Sequence, residues 1–156
     1  MRITDSRYDR DRLIAFQAAE AALLDAEMDI RGPGSRRSAL FSPTASSGFE
    51  EGCGTGSSTK GLCLPAKSGA SPLWSTVSFT DTQRTVAFGD YTGRTYPSGD
   101  IGVQPARAPR YLIELLPDPT PGGNLDMPRN LYRVTAVGFG PREETRVMLQ
   151  MFFRKE

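Results

Sequence analysis

The amino-acid sequence predicts an α+β fold in which one N-terminal helix packs on a three- to four-stranded antiparallel sheet, with a long loop between them. Three observations carry that prediction. Residues 9–30 hold neither Gly nor Pro and are rich in Ala, Leu, Glu and Gln, which favours helix until Gly32-Pro33-Gly34 stops it. Residues 31–72 change character and are dominated by Gly, Ser, Pro and Thr. Three later segments alternate apolar and polar side chains with the period of two shown by half-buried strands. The 156 residues are read as one domain, 1–156, divided into helix over 1–31, loop over 32–83 and sheet over 84–156. A chain of that size buries roughly two-thirds of its unfolded surface, enough for one core.

On the helix, Phe16, Ala19, Leu23, Ala26 and Ile30 recur at steps of three and four, the stripe expected to face the sheet. The opposite side carries Asp11, Arg12, Asp25 and Asp29, and with them the apolar Ile14, Ala18 and Ala21. That side is less polar than a lone surface helix needs, which makes Ile14, Ala18 and Ala21 the candidate face for contacts with other proteins.

The loop offers Leu40, Phe41, Phe49, Leu62 and Leu64 as its apolar anchors. A connection of this length is uncommon in a compact domain unless it is functional or disordered. Within it, Cys53 and Cys63 stand in GCGTGSSTKGLC, where the glycines let the chain turn back on itself, and a disulfide is expected. Two cysteines without histidine make a poor zinc site, and their spacing is not that of a C-x-x-C redox centre. A bridge places the protein outside the cytosol.

The same loop carries two short catalytic signatures. Ser57-Ser58-Thr59-Lys60 fits S-x-x-K and Lys67-Ser68-Gly69 fits a K-[ST]-G triplet, together the pattern of penicillin-recognising serine enzymes. Both fall in one Gly/Ser-rich loop, without an S-D-N partner and without a helix to present the serine, so chance composition explains them. A small secreted hydrolase rests on that coincidence alone. Gly52, Gly54 and Gly56 lack the last glycine of a dinucleotide cradle, and Asp90, Asp100, Asp118 and Asp126 do not follow a calcium-loop pattern.

After the loop, Leu73, Trp74, Val77 and Phe79 suggest a short helical turn or an irregular anchor, and Arg84 to Asp90 a short strand through Val86 and Phe88. Tyr111 to Leu116, Leu131 to Phe139 and Val147 to Phe153 are the three clear strands. Tyr132, Val134, Ala136, Val147 and Leu149 are expected on the helix-facing side, with Arg133, Thr135, Arg146 and Gln150 on a wet side. Ala136 and Gly138 would admit the helix closely.

Composition narrows the function classes. Lys and Arg number 19 against 18 Asp and Glu, a net charge of +1, so nucleic acid and anionic membranes are not favoured partners, although Arg36-Arg37 and Arg142 with Arg146 could make local patches. The chain contains no histidine, the commonest metal ligand and neutral-pH proton shuttle, and no metal, cofactor or catalysis is expected. No run of eighteen apolar residues occurs, and MRITDSRYDRDR has no signal-peptide core. The chain nevertheless opens almost directly on a well-formed helix, which is either a natural start or the end of a segment that continues ahead of Met1.

A helix, a long loop, a disulfide and a closing antiparallel meander, in that order, form a layout that resembles a type IV pilin headpiece. DRDRLIAFQAAEAALLDAE is similar to the end of the N-terminal helix in PilX-type minor pilins, which carry R-[ND]-x-x-A-F-Q-A-A-E-A-A-L-x-x-[AG]-E there. PRYLIE, residues 109–114, and LYRVTAVGFGPREETRVMLQMFF, residues 131–153, are similar to that family's closing strands. The resemblance covers about the first thirty and last fifty residues, and the middle departs from it.

The resemblance implies a type IV pilin-like fold and a structural role without catalysis or cofactor. It also implies a preceding apolar half-helix, processed by a prepilin peptidase, that anchors the full-length protein in the inner membrane on its periplasmic side before delivery to the pilus tip or cell surface. Implied partners are other minor pilins, the major pilin and a PilY-type tip adhesin, with which such minor pilins prime pilus assembly. The alternatives are a minor pilin that binds a ligand directly, in surface adhesion or DNA uptake, and a minor pseudopilin of a type II secretion filament.

Overall fold

In the computed structural model, residues 3–32, 34–42, 44–96, 104–117 and 130–155 are described, with helix side chains from Arg7 onward. The first helix, α1, spans Ile3–Arg31 and ends at Gly32, whose φ of 58° suits a residue without Cβ. A single 3-10 turn follows at Ser38–Phe41, then β1 (Leu62–Cys63), the four-residue helix α2 (Leu73–Thr76), β2 (Val86–Ala87), β3 (Arg110–Pro117), β4 (Asn130–Phe139) and β5 (Arg146–Phe153).

The sheet runs β1-β3-β4-β5, with β2 also paired to β3. The three long strands form an antiparallel meander in which Ile113 faces Val134 and Val134 faces Met151. The α+β class and the helix-on-sheet arrangement hold. The purely antiparallel expectation does not, because β1 joins β3 in parallel, Leu62 against Ile113 and Cys63 against Glu114. A dipeptide strand inside a Gly-rich loop has no periodicity to announce it. The strand expected over Arg84–Asp90 shortens to Val86–Ala87: the Phe88 amide still donates to the Pro109 carbonyl at 3.0 Å, and Gly89, at φ 85°, then turns the chain away.

Antiparallel pairing sets Tyr111, Ile113, Leu115, Tyr132, Val134 and Ala136 on one face, where they pack with Ala22, Ala26, Ile30, Phe41, Phe49 and Leu62. Ala15, Ala19, Val147 and Leu149 extend that packing toward the start of α1. The helix comes closest over Gly138, where a Cβ would fall inside van der Waals distance of the Ala15 carbonyl and the Ala19 amide. Phe16 corrects the expected stripe: it is 40% exposed. So close a contact admits alanines, and the buried row is Ala15, Ala19, Ala22, Ala26 and Ile30: it keeps Ala19, Ala26 and Ile30 of the expected stripe, with Ala15 in place of Phe16 and Ala22 in place of Leu23, which stands at its border.

The second face of the sheet departs from expectation along β3 and β4, while on β5 Arg146 and Gln150 are exposed as expected. Leu112, Val137 and Phe139 are buried there under the Cys53–Cys63 disulfide and Phe79, with Leu73, Trp74 and Val77 half-buried beside them. The long loop thus folds across the face expected to be wet, and Thr135 is fully buried beneath it, accepting a bond from Gln150 at 2.9 Å.

Candidate functional site

Two sectors of α1 decide what the helix can contact. Asp11, Ala18, Asp25 and Asp29 lie at steps of seven and four, hence on one side, and all four are buried. Ala18 has no exposed surface and therefore corrects its assignment to an assembly face; Ile14 and Ala21 are half-buried at that sector's margin. At Asp25 and Asp29 the cause is the loop, which closes over both carboxylates, whereas Asp11 lies beside Gly140 at the end of β4.

Asp29 is the centre of that closure. Arg37 reaches it through Nη2 at 2.6 Å and Nε at 3.1 Å, Ser35 donates at 2.9 Å, and the Tyr111 hydroxyl donates from the sheet at 2.9 Å. Both members of the ion pair are essentially without solvent. Arg37 spends its remaining nitrogen on the Lys60 and Ser58 carbonyls, at 2.6 and 3.3 Å, and its guanidinium lies 3.7 Å from the centre of the Tyr91 ring. Burial, and then the neighbouring Asp29 carboxylate, push the Tyr111 phenol well above its ordinary pKa. One arginine therefore fastens helix, sheet and loop together.

Asp25 makes the second fastening, one turn earlier. Its oxygens accept from the Gly89 amide at 2.8 Å and from Thr92 Oγ1 at 2.6 Å, with Arg94 at 3.9 Å. Burial raises the Asp25 carboxyl above the ordinary carboxylate range, against the lowering effect of these donors.

On the far side, Leu13, Phe16, Leu24 and Met28 fall within one third of the helix circumference and are all exposed. Leu24, at 58% exposure, leads into an open depression of about 360 Å³ lined by Leu24, Glu27, Met28, Arg31, Gly32 and Arg94. This exposed apolar stripe carries the Arg94 guanidinium at one end, Nη1 2.8 Å from Met28 Sδ, and its periodicity is masked in the sequence by Gln17, Glu20 and Glu27. The signal was nonetheless present: four large apolar residues cannot share one face with an alanine row that fits against Gly138.

The catalytic signatures acquire no machinery. Ser57 is an exposed turn residue whose carbonyl accepts from the Tyr91 hydroxyl, and the Lys60 amine faces Asp90 at 3.5 Å in an ion pair. Lys67, Ser68 and Gly69 form an exposed turn elsewhere on the loop. Asp90 caps a turn by accepting from the Ala87 amide, while Asp100, Asp118 and Asp126 lie outside the described residues. Among the described residues no group of His, Cys, Asp or Glu could hold a metal ion, and no helix is long and apolar enough to cross a membrane.

A helix laid on an antiparallel meander, with a stapled loop across the sheet's back, defines a pilin-like subunit. The family model described as type IV pilus assembly protein PilX, C-terminal part, matches residues 59–155, which take in the second half of the loop and every strand. The chain belongs to this family of type IV pilus assembly proteins. No curated protein and no solved structure matches it.

Proposed function

We propose that this chain is a minor pilin that joins other minor pilins and a PilY-type tip adhesin to prime type IV pilus assembly, the major pilin then adding beneath that complex. The observation that carries the reading is the exposed row Leu13, Phe16, Leu24 and Met28 on a helix already buried on its other sides. An apolar stripe of this length along a helix suits side-by-side packing with the helix of a second subunit. The family's description as a pilus assembly protein supports a pilus over a secretion filament. Its site of action on this reading is the periplasmic side of the inner membrane, with the full-length protein held by an apolar helix preceding α1, and afterwards the pilus tip or cell surface. The role is structural and needs no cofactor.

The test is co-elution with the soluble headpieces of neighbouring minor pilins on a sizing column, using the chain and its Leu24→Glu variant. The parent is expected to enter a complex and the variant, with an unchanged unfolding midpoint, to remain outside it. Co-elution of both, or of neither at high concentration, would count against the stripe as the assembly surface.

A further inference from the structure

The two edges of the sheet are finished differently. Along β3 the outer edge is covered twice, by β2 against Tyr111 and Arg110 and by β1 against Ile113 and Glu114. Beyond β5 no strand lies among the described residues. Exposed edges are ordinarily blunted by brevity, proline, lysine or a bulge. β1 and β2 are two residues each, whereas β5 runs for eight, RVMLQMFF, with no proline and Arg146 as its one charge.

The register fixes which groups of β5 are free to pair. One step beyond the Phe139–Arg146 pair, the Gly140 amide donates to the Thr145 carbonyl at 2.8 Å. Bonded and non-bonded pairs alternate along an antiparallel ladder, so Val147, Leu149, Met151 and Phe153 turn their backbone groups toward β4. Arg146, Met148, Gln150 and Phe152 turn theirs outward. The side chains of those four share the sheet's outer face, where Met148 is 43% and Phe152 59% exposed. A groove of about 390 Å³ opens beside Met148, walled by Trp74, Val77, Phe79, Val137 and Arg146.

We propose that the outer edge of β5 accepts an extended strand from a different polypeptide, apolar opposite Met148 and Phe152 and acidic opposite Arg146. A row of outward N–H and C=O groups recognises backbone, and the groove beside Met148 takes an apolar side chain of that strand. A second copy of this chain fits less well: outward residues of two copies meet either with Arg146 of each against Arg154 of the other, where like charges oppose, or with Arg146 against Phe152, which gives up the pairing of Phe153. The inference stands on the edge and its register, independently of the helix stripe and of the pilus reading.

The probe is a blocked heptapeptide, Val-Thr-Thr-Val-Ile-Thr-Glu, added to the isotope-labelled chain while amide hydrogen exchange is followed by NMR. Millimolar peptide is expected to slow the Met148, Gln150 and Phe152 amides by about tenfold or more while leaving Val147, Leu149 and Met151, already bonded to β4, unchanged. Gln150→Pro removes one outward N–H without touching the β4 ladder, a place where an edge strand tolerates proline, and is expected to abolish the effect. Should that variant not fold, the same peptide N-methylated at its pairing amides decides the matter and is expected not to bind. Absence of slowing, or equal slowing by the methylated peptide, overturns the proposal. Slowing that instead follows protein concentration, with the mass of a dimer, assigns the edge to a second copy and overturns it as well.

Discussion

The two buried sides of α1 are held by opposite means. Toward the sheet the contact is made of alanines: Ala15 and Ala19 lie over Gly138 with backbone nearly touching backbone, and Ala22 and Ala26 pack among the apolar core beyond. Toward the loop it is made of carboxylates, Asp25 and Asp29, each fully buried and each satisfied by donors from the loop. A regular sheet face can be matched by shape. A Gly/Ser-rich loop has too few apolar side chains for that, so directed bonds to buried charge replace area.

The sheet side is the one a single substitution breaks most completely. Gly138→Val places two methyl groups where Ala15 and Ala19 backbone stands, and neither α1 nor β4 can yield without losing the rest of the contact. A loss of about 4 kcal/mol or more is expected, read as a collapse of the urea midpoint or as failure to fold. Gly138→Ala should show most of it, because Cβ alone meets the obstruction.

On the loop side, Arg37→Met leaves the Asp29 carboxylate buried with only Ser35 and Tyr111 to satisfy it, and about 3–5 kcal/mol should be lost. Adding Asp29→Asn to that variant is expected to restore part of the stability, since the unpaired charge goes with it. If the double variant is as unstable as the sum of the two singles, the pair is not coupled and the latch is something else.

The loop's own scaffold is a smaller term. Replacing both Cys53 and Cys63 by serine should lower stability by about 2–3 kcal/mol through the freedom returned to the unfolded chain, and reducing the parent protein should reproduce the change. Cys53 sits at φ 74°, a left-handed conformation that non-glycine residues seldom adopt, so opening the bridge also lets this turn relax. The alanine contact with Gly138 should survive, visible as unchanged exchange protection in α1 and β4.

This contrast also explains what could be read from the amino-acid order. The meander was legible because β3, β4 and β5 alternate with period two over eight to ten residues each, and the helix because Gly and Pro are missing from it until Gly32. The rotation of the helix was not: Phe16 outranks Ala15 on any hydrophobic scale, yet Gly138 admits only the alanine, and that is a fact about distance. That Asp25 and Asp29 would be buried was not legible either: the Gly89 donor to Asp25 stands 64 residues away and the Tyr111 donor to Asp29 stands 82 away, and nothing in the order of residues marks Arg37, eight residues on, as turning inward. The outer sheet face reads as wet because Thr135 and Gln150 alternate with apolar residues; that holds along β5, while the loop that covers Leu112, Val137 and Phe139 carries no pattern at all.

Because the Asp25 carboxyl is buried against the loop, a pH dependence of the helix contact is expected on that side. The Asp25 carboxyl sits above the ordinary carboxylate value, first through burial, so the folded protein holds that proton more tightly than the unfolded chain does. Its contribution is then fully present below the unfolded value of about 3.9 and is lost as pH rises through the higher folded value. Asparagine can accept from the Gly89 amide and donate to Thr92 without titrating, so Asp25→Asn should fold. The stability of the parent relative to this variant, taken from urea midpoints through the weakly acidic range, is expected to fall as pH rises and then level off. Parallel curves would mean that Gly89, Thr92 and Arg94 fully offset burial, in which case the loop side of α1 is as indifferent to pH as the alanine side.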